Sequence, residues 1–145
     1  MPDDATEIVI SCGGNDALGH LGVLQAPCPN LHAALGILAP LLQAFREDYC
    51  AMLRCAKSSE RPVTVCTVYD AVPGLDAPTR LALSLFNDVI QREAGRHDAN
   101  VLDLRMVMIE SVDFAVISPI EPSAIGSRKI AFALERIIVA RRRSP

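Results

Sequence analysis

Short β-branched segments alternate with long amphipathic segments along this chain of 145 residues. Residues 8–11 and 63–68 are rich in Ile, Val and Thr, as expected of buried strands. Between them, apolar side chains recur every three or four residues, which is the period of a helix with one buried face. A third short strand is predicted at residues 101–104. This alternation predicts an α/β fold in which parallel strands are joined by right-handed helical crossovers.

The helix boundaries follow from proline and from capping residues. Asn30 is a suitable N-cap, and Pro40 cannot lie inside a helix without a kink, so it is expected to begin a second helix. Ser123 is a suitable N-cap for the last helix, whose buried face is predicted to contain Ile130, Leu134, Ile137 and Ile138. The predicted helices are residues 31–39, residues 40–57, residues 78 or 79 to about 96, and residues 124–141.

Three segments have neither a helical nor a strand period. Residues 12–30 contain two prolines and several glycines and are predicted to form a long loop, which in compact domains is often functional. Residues 105–117 are apolar but irregular and receive no assignment. Residues 118–123 contain two prolines and cannot be helical. In the third predicted helix, Asn87 and Asp88 interrupt the apolar face and are expected to face solvent or a neighbouring loop.

Composition narrows the classes of function. A chain of this length is about one domain in size, and its 4% aromatic content predicts an aliphatic core. A net charge of −3 argues against a nucleic-acid partner, and the basic residues 141–143 are interpreted as a solvated helix end. Five cysteines without Cys-x-x-Cys spacing predict reduced thiols in a cytoplasmic protein. No signal peptide, membrane span, metal or other cofactor is expected.

The first predicted strand leads directly into Gly13, Gly14, Asn15 and Asp16. Glycines end the strand and let the backbone turn without steric hindrance. In parallel α/β sheets, ligands bind beyond the carboxyl ends of the strands. The end of the second strand would bring Asp70 to the same edge. We therefore expect a ligand site at this edge of the sheet.

The order Gly13-Gly14-Asn15-Asp16 after a strand resembles the Gly-x-Asn-Asp block of the SGNH (GDSL-type) hydrolases. Residues 63–70 with 85–90 are similar to the middle of that family, and residues 122–131 are similar to the segment that follows its last catalytic block. The resemblance implies a three-layer, flavodoxin-like α/β fold with a parallel sheet, of which this chain would hold the last three strands and their flanking helices. It also implies a single SGNH-hydrolase-like domain over residues 1–145 that is incomplete at its N-terminus.

The same resemblance implies hydrolysis of a small-molecule carboxylic ester or a related acyl group. In this family a serine attacks the acyl carbon while a histidine, oriented by an aspartate, takes the proton. Asn15 corresponds to the asparagine of the oxyanion hole, whose amide stabilises the developing negative charge. Gly14 would form the oxyanion loop, and Gly13 and Asp16 would help to bind substrate.

The sequence departs from the family at the other catalytic positions. It contains no Gly-Asp-Ser block, so the nucleophilic serine is missing. Ser118 stands where the family has its aspartate, and Glu121 stands where it has its histidine. Glu121 would act as a base only if burial or a neighbouring charge raised its pKa. These departures have two possible explanations. Either the sequence begins inside a longer gene whose upstream part encodes the serine, or the chain is truncated and lacks its nucleophile.

Other interpretations remain open. Cys12 with His20 is a candidate nucleophile and base, and Asp16, Asp70 and Glu121 are candidate metal ligands, although their spacing fits no metal-binding loop. The chain is alternatively a non-catalytic binding module on the same fold. If no further strand pairs with residues 8–11, that edge invites pairing with a second copy of the chain.

Overall fold

The sheet of this protein is parallel and lies between helices, as the computed structural model shows for Pro2 and residues 4–143. Strands β1 (Ile8–Ile10), β2 (Val63–Cys66) and β3 (Asn100–Leu102) are adjacent in that order. The register pairs Ile8 with Val63 and Thr64 with Asn100. The helices are α1 (Gly14–Gly19), α2 (Leu31–Lys57), α3 (Ala77–Arg96) and α4 (Ala124–Arg143). The predicted three-layer α/β fold is therefore confirmed.

Helices α2 and α3 cover one face of the sheet. In a strand, alternate side chains point to opposite faces, so Val63 and Val65 of β2 pack against these helices. Both valines are almost completely buried. The other buried members of this cluster are Phe45, Tyr49, Leu53, Phe86, Ile90 and Ala94. This aliphatic and aromatic cluster forms the main core.

Helix α4 covers the opposite face. Its side chains Ile130, Leu134 and Ile137 pack against a smaller cluster of Cys66, Leu102 and Leu104. Burial raises the pKa of the Cys66 thiol to about 11, so the thiol is protonated at neutral pH. The predicted apolar face of α4 is confirmed, although its side chains are half-buried rather than fully buried.

Proline does not divide the second helix. Residues 31–39 and 40–57 form the single helix α2, with Pro40 inside it. A proline within a helix removes one backbone hydrogen bond and costs about 3 kcal/mol. Pro40 lies on the exposed side of α2, and the buried side chains of Phe45, Tyr49 and Leu53 anchor the part that follows. The prediction of two helices was wrong because it weighed the proline without this packing.

The segment predicted as a long loop also contains regular structure. Within residues 12–30 lie α1 and a 3-10 helix at Leu21–Gln25. Neither is long enough to show a periodic pattern, and such short helices are stabilised by tertiary contacts rather than by local preference. The strands are shorter than predicted: β1 ends at Ile10, β2 at Cys66 and β3 at Leu102.

The segment without assignment, residues 105–117, is organised around buried Asp113. Two 3-10 helices, Leu104–Met106 and Ser111–Asp113, lie in or next to it. The Asp113 carboxylate accepts hydrogen bonds from the N–H groups of Ile109 and Glu110 and pairs with Lys129 Nζ at 2.7 Å. Burial alone would raise the pKa of Asp113, but the Lys129 pair and the two N–H donors lower it below its ordinary value.

The last helix begins as predicted. Ser123 Oγ accepts hydrogen bonds from the N–H groups of Ile125 and Gly126, both at 3.1 Å. This is the bonding expected of an N-cap. No helix in the described part of the chain is both long and apolar enough to cross a membrane.

Candidate functional site

Gly13 sets the geometry at the end of β1. Its φ of +104° lies in the region that favours glycine. A Cβ there would lie 3.1 Å from Phe45 Cζ and 3.3 Å from Ile90 Cδ1. The main core therefore reaches the turn directly, and a side chain at Gly13 would be strained in two ways. The turn directs Gly14 and Asn15 to the edge where the strands end.

A polar groove lies at the carboxyl ends of β1 and β2. Its volume is about 280 Å³, and residues from both strand ends line it. The predicted site residues Gly13, Gly14, Asn15 and Asp16 all belong to this lining. The structure therefore brings this sequence motif to the edge where ligands bind in parallel α/β folds.

An apolar cavity of about 170 Å³ adjoins the groove. The two share Gly14, Asn15, Val68 and Tyr69 in their linings. The apolar lining comes from the helical part of residues 12–30, from α2, from the segment after β2, and from α3. Representative members are Leu18, Leu24, Leu38, Leu75, Leu83 and Phe86. Asn15 thus lies where the polar groove meets the apolar cavity.

Tyr69 fastens the loop of Ser118 and Glu121 to this edge. Its hydroxyl donates a 2.6 Å hydrogen bond to the Ile120 carbonyl, and its ring lies edge-on to Phe114 at 5.4 Å. Burial raises the pKa of Tyr69, and the nearby Glu121 carboxylate raises it further. Tyr69 therefore stays neutral and keeps its donor.

Asn87 holds the backbone after β2 in place. Its side-chain amide donates to the Val68 carbonyl and accepts from the Val68 N–H, both at 2.8 Å, and the residue is completely buried. Because Val68 and Tyr69 line both cavities, Asn87 positions the wall of the site. The sequence predicts that Asn87 faces either solvent or a neighbouring loop. The structure shows that it faces the neighbouring segment after β2 and not solvent. The next residue, Asp88, is exposed and pairs with Arg92.

Ile120 brings the loop of Ser118 and Glu121 to the apolar cavity. Among the described residues, the lining of the apolar cavity includes Ile120 but neither Ser118 nor Glu121. Ser118 is half-buried, and its carbonyl accepts a hydrogen bond from the Glu121 N–H at 2.9 Å. Glu121 is exposed, so it does not meet the burial condition attached to its role as a base.

The alternative nucleophile gains no support. Burial raises the pKa of Cys12, and Asp16 raises it further, which disfavours the reactive thiolate. Cys12 lines the polar groove, whereas His20 lines the apolar cavity and stacks on Phe86 at 6.3 Å. In residues 4–143, Asp16, Asp70 and Glu121 do not form a cluster able to hold a metal ion.

Comparison with solved structures identifies an alpha/beta hydrolase and two esterases of similar fold. LAE5, an alpha/beta hydrolase enzyme from the metagenome of Lake Arreo, Spain, superposes with a TM-score of 0.66 at 15% identity, covering 89% of this chain and 57% of LAE5. The acetyl xylan esterase AlAXEase has a TM-score of 0.65 at 14% identity, covering 92% of this chain and 67% of that enzyme.

A third similar structure is a mutant of Axe2, an acetyl-xylooligosaccharide esterase from Geobacillus Stearmophilus. Its TM-score is 0.60 at 15% identity, covering 90% of this chain and 58% of Axe2. No protein-family model matches this chain, and no curated protein matches it. The chain thus shares the fold of these three enzymes and spans about three fifths of the length of LAE5 and Axe2.

Proposed function

We propose that this chain forms the oxyanion-binding part of an SGNH-type ester hydrolase. The observation that carries the proposal is the position of Asn15, in the linings of both the polar groove and the apolar cavity. An ester has the same two parts, a polar acyl centre and a carbon chain. An amide at the junction of these two parts can donate a hydrogen bond to the oxyanion of the tetrahedral intermediate.

The proposed substrate is a small carboxylic ester with an apolar group. The cavity of about 170 Å³ is lined mainly by aliphatic side chains, and an engineered cavity of about 150 Å³ in another protein holds benzene. An acyl or alkyl group of several carbons therefore fits better than a charged or strongly hydrated one. The similar folds of the esterases AlAXEase and Axe2 agree with ester chemistry.

The nucleophilic serine would be supplied by a segment that pairs beside β1. In the described part of the chain β1 pairs only with β2, and its central residue Val9 is 42% exposed. An added strand would satisfy the backbone groups of this edge and end beside the polar groove. We propose that it carries the Gly-Asp-Ser block of the family and completes the single domain.

The first experiment is to read the DNA upstream of Met1. We expect this DNA to encode, in the same reading frame, a β-strand followed by Gly-Asp-Ser. We also expect the extended protein to hydrolyse p-nitrophenyl esters. In that protein Asn15→Ala should lower kcat about 10²–10³-fold, the usual effect of removing one oxyanion donor. Asn100→Ala is the matched control, since Asn100 is exposed at the start of β3, the opposite edge of the sheet, and should leave kcat unchanged.

Two results would contradict the proposal. One is an extended protein without esterase activity, and the other is activity that Asn15→Ala does not change. The first would favour the non-catalytic binding module, which the missing Gly-Asp-Ser block and the apolar cavity also fit. That function predicts that the chain binds an apolar ester without turnover, which calorimetry with ethyl hexanoate would measure.

A further inference from the structure

A second group of reactive side chains lies where α2 packs against the end of α3. Cys50 of α2 faces His97, which follows the last residue of α3, with Sγ 3.6 Å from Nε2. Arg54, one turn after Cys50, places Nη1 2.9 Å from the same sulfur. His97 lies just before β3 begins, so this group is at the opposite edge of the sheet from Asn15.

The His97 ring is held in one tautomer. Its Nδ1 lies 2.9 Å from the Glu93 carbonyl oxygen, which can only accept a hydrogen bond. Nδ1 therefore carries hydrogen, and the lone pair of the neutral ring is on Nε2, facing the Cys50 sulfur. His97 is the C-cap residue of α3, and its Nδ1 lies 3.9 Å from Glu93 Oε2. The lone pair on His97 Nε2 is thus in position to accept a proton from Cys50.

Cationic side chains lie close to the Cys50 sulfur. Arg46 and Arg96 both pair with Glu93, which is 1% exposed, and Arg54 contacts Cys50 directly. A second carboxylate, Glu47, also acts on Arg46 and accepts a hydrogen bond from Gln43. Three arginines against these two carboxylates leave a net charge of +1 around a neutral thiol.

The same charges disfavour a metal ion. One ligand atom from each of Cys50, Glu93 and His97 lies within 4.8 Å of the others, a separation that suits a soft divalent cation. A dication would nevertheless enter a cluster that is already positive. A thiolate reduces the positive charge, whereas a dication increases it.

We propose that Cys50 is a nucleophilic thiol and the preferred site at which peroxides oxidise this chain. His97 Nε2 takes the S–H proton, and the Cys50 sulfur attacks one oxygen of the peroxide. The S–O bond forms as the O–O bond breaks. The leaving hydroxide takes the proton from His97 and becomes water. Sulfur is oxidised by two electrons, the peroxide is reduced by two, and the product is a sulfenic acid. This site is independent of the proposed esterase function.

Competitive labelling of the full chain tests the proposal. The reference is Cys55, an exposed thiol five residues later on the same helix. With limiting iodoacetamide at about pH 6.5, mass spectrometry should find Cys50 labelled about tenfold faster than Cys55. The expected difference comes from His97 Nε2 and Arg54 Nη1, which lie against the Cys50 sulfur. Hydrogen peroxide with dimedone should trap a sulfenic acid at Cys50 first.

Matched variants identify the cause of the reactivity. His97→Gln and Arg54→Ala should each bring the Cys50 rate to within about threefold of Cys55. Cys55→Ser should leave the Cys50 rate unchanged. Arg54 is exposed, so its variant remains informative even if His97→Gln unfolds, which circular dichroism would show.

Three results would overturn the proposal. The first is a Cys50 rate no faster than that of Cys55, and the second is a fast rate that Arg54→Ala leaves unchanged. The third is one equivalent of zinc in the purified protein that blocks Cys50 labelling, which would indicate a metal site instead.

Discussion

Replacing Gly126 with alanine tests the packing that holds the loop of residues 118–121. Gly126 lies in the first turn of α4, against the 3-10 helix that ends at Asp113. A Cβ at Gly126 would lie 2.2 Å from the Asp113 carbonyl oxygen and 2.8 Å from Met108 Sδ. Ordinary contact begins near 3.4 Å, so α4 would have to move by about 1 Å.

The expected cost follows from two opposing effects. Overpacking in a tight interior destabilises by about 1–3 kcal/mol or more, and here the nearest atom belongs to the backbone, which cannot rotate away. Alanine instead favours a helix over glycine by about 1 kcal/mol. We expect the free energy of unfolding to fall by about 1–3 kcal/mol and Tm to fall by about 3–10 °C.

Gly36→Ala is the matched control. Gly36 is also inside a helix, but it is exposed, and a Cβ there would have no neighbour within 4 Å. This variant should gain up to about 1 kcal/mol. Urea unfolding followed by circular dichroism measures both variants. If Gly126→Ala were as stable as the unmodified chain, the close approach of α4 to Asp113 would be wrong, and with it the position of the loop.

Two further substitutions probe buried polar contacts. Asn87→Leu should lower the free energy of unfolding by about 2–6 kcal/mol in urea titrations, because it leaves the N–H and carbonyl of Val68 without partners, at about 1–3 kcal/mol each. Asp113→Asn should cost about 1–3 kcal/mol at pH 7. Since the pKa of Asp113 is lowered in the folded state, its contribution is present above the ordinary value near 4 and is lost as pH falls through the folded value.

Each of these has its own check. For Asn87 the control is the neighbouring exposed Asp88, whose replacement by Asn should change stability by less than about 0.5 kcal/mol. An equal effect at both positions would contradict the role of the Asn87 amide. For Asp113, unfolding by urea between pH 7 and pH 2 should show the gap between variant and unmodified chain closing. A gap that stays constant would mean that the carboxylate charge is not responsible.

The sequence by itself determined the features that depend on local pattern. The alternation of β-branched and amphipathic segments predicted three parallel strands joined by helices, and the N-caps of α2 and α4, Asn30 and Ser123, were predicted correctly. These succeed because period and capping are properties of adjacent residues. Gly13 and Asn15 were also expected at a strand end, and the structure lines the groove with them. Their catalytic role stays a prediction.

Only the tertiary structure decided how distant segments meet. It continued α2 through Pro40, because buried side chains beyond the proline outweigh one lost hydrogen bond. Asn87 bonds to Val68, which is 19 residues away in sequence, and Gly126 packs on Asp113, which is 13 residues away. The tertiary structure also brought Cys50 to His97. No local period encodes such pairs, since they arise only when the helices pack on the sheet.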